Sequence, residues 1–104
     1  MHKEVPMTIT KTIESDALTL ALSGRLDTTT SPELEDEINA SLAGIHKLTL
    51  DFTELSYISS AGLRVLLAAQ KKMNVQGEMR VVGVNDTIME IFEVTGFSEI
   101  LTIE

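Results

Sequence analysis

Residues 57–64 read Tyr-Ile-Ser-Ser-Ala-Gly-Leu-Arg, two hydroxyl side chains and two very small residues set between apolar runs. A serine becomes a nucleophile when an adjacent base takes its proton and a third group orients that base. No such base stands at a recognisable spacing from Ser59 or Ser60. The two histidines, His2 and His46, are isolated, and the chain has no cysteine. Two lone imidazoles do not make a metal site, so they read as surface residues. No glycine-rich loop ending in Lys-Ser/Thr is present to cradle a nucleotide. The sequence therefore calls for no cofactor, no metal and no catalytic group of its own. What remains is chemistry performed on the hydroxyl. A phosphoryl group on serine brings about −1.5 to −2 charges and three acceptor oxygens. The first turn of a helix, with its free N–H groups, tolerates such a group. The same serines also read as routine helix caps. Gly62 removes a side chain, so that a partner's backbone or active site can approach closely.

The elements that position this junction follow from hydrophobic periodicity. Residues 7–14 and 17–22 alternate as strands, and Ser15-Asp16 between them is turn chemistry, which predicts a hairpin. Gly24 is expected to stop the second strand. Ser31-Pro32 is a helix start, with serine as the cap and proline at the first helical position. Leu34, Ile38, Leu42 and Ile45 then form one apolar stripe, and Gly44 ends the helix. Glu33, Glu35, Asp36 and Glu37 crowd its first turns, where the dipole favours negative charge. Residues 47–53 read as a strand, with Leu48, Leu50 and Phe52 on one face, and residues 54–57 as a loop. A helix is expected over 61–73, with Leu63, Leu66, Leu67 and Met73 inward, Gln70 inside that stripe, and Lys71 and Lys72 near its C-terminal end. Residues 74–77 read as a turn and 78–84 as a strand with burial on both faces. Asn85-Asp86 begins a helix whose core stripe is Ile88, Ile91, Phe92 and Thr95. Gly96 closes it in a left-handed conformation, with Phe97 folding back on Phe92. Residues 99–103 give a final strand. The order β-β-α-β-α-β-α-β predicts an α/β domain over residues 1–104, a mixed sheet backed by helices.

Composition narrows the partners. Sixteen acidic residues against eight basic ones give a net charge of −8. Such a surface repels phosphate backbones and anionic bilayers, so neither nucleic acid nor membrane is an expected partner. The N-terminal residues MHKEVPMTIT lack the apolar core of a signal peptide, and no apolar run is long enough to span a bilayer. The expected location is cytoplasmic.

The stretch from Leu48 to Met73, LTLDFTELSYISSAGLRVLLAAQKKM, resembles the central motif of the anti-sigma-factor antagonists, the small single-domain STAS proteins. GRLDTTT at 24–30 is similar to that family's loop after the second strand, and VTGF at 94–97 to the end of its third helix. The three motifs occur in the family's order, and the likeness runs over roughly residues 7–103. The resemblance implies a STAS-like fold and a non-enzymatic partner-switching regulator. It implies that Ser60 accepts a phosphoryl group from an anti-sigma factor that is also a serine kinase, with Ser59 as second choice. A metal-dependent serine phosphatase would reverse the step. Many members carry Asp immediately before the acceptor, where this chain has Ser59. Asp27 is implied to share the rim with Ser60 and contact the kinase, although a turn-forming carboxylate is an equal reading. Thr28, Ser59, Ala61, Gly62, Leu63 and Arg64 complete the expected contact. Exposed Leu63 or Val65 would add apolar area there, unless the core claims them. Arg64, one helical turn after Ser60, could hold the phosphate or meet an acidic kinase residue, or be an ordinary solvated arginine. Asp51 reads as a structural hydrogen-bonding group. The resemblance also leaves open a non-phosphorylated STAS subunit of a lipid- or anion-transport complex.

Overall fold

The computed structural model describes residues 6–104; His2 lies outside them. Strands β1 (Met7–Glu14) and β2 (Ala17–Leu26) form the expected hairpin around Ser15-Asp16, with Ser15 at φ 57°. Helix α1 (Ser31–Ser41), strand β3 (Lys47–Ile58), helix α2 (Ser60–Gln76), strand β4 (Glu78–Val82) and helix α3 (Asp86–Thr95) follow. The sheet order is β1-β2-β3-β4, antiparallel at the first pairing and parallel at the other two. The parallel pairings are the ones joined by helical crossovers, as the alternation of elements requires.

One face of the sheet is buried. Leu18, Leu20, Leu22 and Leu26 of β2 join Leu48, Leu50, Phe52, Leu55 and Ile58 of β3 and Met79 and Val81 of β4. Leu34 and Ile38 of α1, Leu66, Ala69 and Met73 of α2, and Ile88 and Phe92 of α3 belong to the same core cluster. The helices therefore cover that face. The intervening Thr19, Ala21, Thr49 and Asp51 stay partly exposed on the other.

Several boundaries differ from the sequence reading. Gly24 does not stop β2. The strand runs on to Leu26, and two register shifts against β3 let it do so. Gly24 sits at φ +99°, and a Cβ there would lie 2.3 Å from the Pro6 carbonyl oxygen. The predicted loop at 54–57 is strand for the same reason. Each shift adds a residue to β3, so its buried positions step by three, from Phe52 to Leu55 to Ile58. That breaks the period of two on which strand recognition depends. Helix α2 continues through 74–76, and no basic residue falls in its last turn. Gly77 ends it, and only glycine fits there because the His46 carbonyl oxygen passes 1.9 Å from where a Cβ would be. Strand β4 ends at Val82, which is half-buried rather than enclosed on both faces. Helix α1 ends at Ser41 rather than at Gly44, and Leu42 and Ile45 reach the core from beyond it. Leu67 is half-buried, and Thr95 is exposed with its hydroxyl donating to the Ile91 carbonyl at 2.6 Å. Gly96 is left-handed at φ 82°, as expected, and the Asn85 side chain caps α3 by accepting from Ile88 N–H at 2.8 Å. The predicted last strand shrinks to a single parallel bridge, Val81 with Ile103, after a 3-10 turn over Phe97–Glu99.

Candidate functional site: a hydroxyl rim at the ends of β2 and β3

The C-terminal ends of β2 and β3 meet the N-termini of α1 and α2 at one edge of the molecule. The joint is a backbone bond from Ser59 N–H to the Leu26 carbonyl, 2.9 Å. Ser59 occupies the N-cap of α2 with extended backbone, φ −100° and ψ 176°. Its hydroxyl accepts from Gly62 N–H at 3.4 Å, a long capping bond. Ser60, the first helical residue, is exposed, and among the described residues its hydroxyl makes no hydrogen bond. The two adjacent serines thus have different uses: one is spent on the cap and the other faces solvent.

Asp27 folds the neighbouring loop. Its Oδ1 accepts from the Thr29 hydroxyl (2.8 Å), Thr29 N–H (3.0 Å), Thr30 N–H (3.2 Å) and the Thr30 hydroxyl (3.3 Å). This is the turn-forming use of an aspartate. The Thr29 hydroxyl does most to hold the Asp27 carboxyl below the usual carboxylate range; partial desolvation opposes it, and the Thr30 and Thr29 N–H groups and the Thr30 hydroxyl assist. Only Oδ2 is left to face outward, 3.7 Å from Arg25 Nε. Thr30 is buried, its hydroxyl donating to the Arg25 carbonyl and accepting from Asp27 N–H, both at 2.8 Å. Ser31 is not the cap that its position before Pro32 suggested. Thr30 holds the cap position, but its hydroxyl bonds back to the loop rather than to the helix N–H groups, and the Ser31 hydroxyl donates to the Asp27 carbonyl at 2.5 Å. The loop's own turn has taken over the work a cap would do.

Thr28, Ala61 and Arg64 come together with Ser31, Pro32, Glu35 and Val65 around a shallow groove of about 200 Å³ between α1 and α2. Gly62 and Leu63 do not face this groove. Gly62 is buried, and a Cβ on it would lie 2.8 Å from Ile58 Cγ1 and 2.9 Å from Leu26 Cγ. Its missing side chain admits the strands beneath, not an incoming molecule. Leu63 and Val65 are each 7% exposed, so the core claims both. Arg64 is exposed, and among the described residues it has no ion pair.

Two features escaped the sequence reading. The Arg25 guanidinium lies over the Tyr57 ring, 4.7 Å from its centroid. The pair exists because the second register shift sets residue 25 beside residue 57, which no local pattern reveals. The groove's α1 wall was likewise invisible without the helix packing. Elsewhere, Asp51 is the structural group expected: its Oδ1 accepts from the Thr53 hydroxyl at 2.6 Å and Thr53 N–H at 3.0 Å, which lowers its pKa. His46 pairs with Asp16 at 3.1 Å on the surface. Among the described residues no three potential metal-ligating side chains cluster, and no helix is long and apolar enough to cross a membrane.

Comparison with known proteins gives this geometry a lineage. The anti-sigma-B factor antagonist of Listeria monocytogenes is 33% identical over 94 residues, which are 88% of this chain and 82% of that one. An anti-sigma factor antagonist from Mycobacterium paratuberculosis shares the fold with a TM-score of 0.84 and 23% identity, over 93% of this chain and 84% of that one. The Bacillus cell fate determinant SpoIIAA, solved in its phosphorylated form, superposes with a TM-score of 0.74 and 16% identity, over 93% and 91% of the two chains. The family model described as the STAS domain matches residues 8–104, and the chain belongs to that family.

Proposed function

We propose that this protein is an anti-sigma-factor antagonist that works by partner switching, without catalysis of its own. Unmodified, it binds an anti-sigma factor that is also a serine kinase through the rim of Asp27, Thr28, Ser59, Ser60, Ala61 and Arg64. The kinase transfers the γ-phosphoryl group of a nucleoside triphosphate to Ser60 Oγ. The bond to the β-phosphate oxygen breaks, a nucleoside diphosphate departs, and the hydroxyl proton is released to solvent. A metal-dependent serine phosphatase returns the hydroxyl by adding water across the phosphoester.

The observation that carries this reading is the division of labour between the two serines. Ser60 offers an exposed hydroxyl with no bond among the described residues, whereas the Ser59 oxygen is held by the cap. Relatives named as anti-sigma-B factor antagonists support the partner class. Phosphorylation acts by charge and bulk. A doubly charged group pressed into a desolvated contact has to find matching donors there or weaken it, and a loss of about 2.7 kcal/mol is a hundredfold in affinity.

The test is a pull-down from the protein's own lysate with wild type, Ser60→Ala and Ser60→Asp as baits, the retained proteins identified by mass spectrometry. Wild type and Ser60→Ala should retain a serine kinase that Ser60→Asp loses. Equal retention by all three baits, or no kinase on any of them, would contradict the proposal.

A further inference from the structure

The state that phosphorylation creates has a structural consequence of its own, which rests on the reading of Ser60 as the acceptor. Arg64 stands four residues after Ser60 on the same helix, so the two side chains are neighbours on its surface, with Cβ atoms about 5–6 Å apart. A long side chain on a helix leans toward the preceding turn, and Arg64 lines the groove beside Ala61 of that turn. Both residues are exposed. Arg25 is engaged by Tyr57 and Asp27, Arg80 by Glu104 and Thr49, Lys11 by Glu37, and Lys47 by Glu78. Arg64 has no such engagement among the described residues. The carboxylate that shares its groove, Glu35 of α1, does not come within ion-pairing distance of it. The first turn of α2 also carries no acidic residue, unlike α1 with Glu33 and α3 with Asp86.

We propose that Arg64 is an internal receptor for the phosphoryl group on Ser60. The guanidinium folds back over the first turn of α2 and holds the phosphate oxygens in a charge-assisted pair, a geometry its planar fork suits. Phosphorylation then does two things at the rim. It adds an anion, and it takes away the cation that the unmodified surface shows to a partner.

The experiment needs no kinase. Phosphoserine is installed at position 60 by genetic code expansion, and its second ionisation is followed by 31P NMR. The charged residues on the elements that meet at this rim are Arg64 on α2, Glu33, Glu35 and Asp36 on α1, Arg25 near the end of β2 and Asp27 just after it. The comparison is among the parent, Arg64→Gln, Arg64→Lys and, as a control for general charge, Lys71→Gln, each with its fold checked by amide spectra. The parent should titrate below the ordinary phosphoserine value of about 6. Arg64→Gln should raise the midpoint by about half a unit, Arg64→Lys should raise it less, and Lys71→Gln should leave it in place. The Arg64 Nε–H resonance should move with the same midpoint. A parent midpoint no lower than that of Arg64→Gln, or an equal rise with Lys71→Gln, would overturn the internal pair. That failure would leave the pull-down result standing. Conversely, a clean Arg64 effect in a protein whose Ser60 is never modified in cells would sink the switch and spare the pair.

Discussion

At the scale of single residues, the rim depends on polar groups whose oxygens are already committed. Thr30 is the clearest case, since its buried hydroxyl both donates and accepts. Thr30→Val should cost about 1–3 kcal/mol, because it orphans Asp27 N–H and the Arg25 carbonyl; urea denaturation measures this. Asp27 gives a pH-dependent prediction. Its carboxyl is held below the usual range in the folded chain. Its contribution to stability is therefore present above the unfolded-state pKa and is lost as pH falls through the folded value. Asp27→Ala should lower the denaturation midpoint at pH 7, and the gap from wild type should close in acid. A gap that stayed constant with pH would mean that the charge on Asp27 plays no part. The sequence showed Asp27 as a turn former or a contact, and the structure supplies the first role in full. It did not show that Thr30, rather than Ser31, holds the cap position, because Ser-Pro is a strong helix-start signal and the loop's internal bonds are decided by tertiary placement.

At the scale of elements, the rim is built by how α2 seats on the sheet. Glycine at 62 allows the helix to lie against Leu26 and Ile58. Gly62→Ala should destabilise the fold by about 1–3 kcal/mol through overpacking, read as a lower denaturation midpoint and amide shifts along α2. A neutral result would mean that the helix can slide without cost. The sequence made all three helices and the hairpin legible, since their periods and turn residues are local signals. It misjudged β3 and the end of β2, where two bulges shift the side-chain phase. It also stretched the last strand, because Ile100, Leu101 and Ile103 read as a run although Val81 and Ile103 alone form a bridge.

At the scale of the whole molecule, the scaffold is a single buried sheet face under three helices, and the hydroxyl rim proposed as the switch sits on its edge rather than in its core. Phosphorylation of Ser60 should leave the fold unchanged. Amide shifts should be confined to residues 57–66 and the adjoining loop at 26–32, and changes spread through α3 or β1 would contradict a local mechanism. The likeness of the motifs had pointed to this edge, and the structure shows why position 60 rather than 59 is the free hydroxyl there. The most direct test of the account is the affinity of the kinase retained in the pull-down for the chain carrying phosphoserine at 60, measured by calorimetry against the unmodified chain. The phosphorylated chain should bind more weakly by about a hundredfold or more; equal affinity for the two forms would rule out partner switching at Ser60.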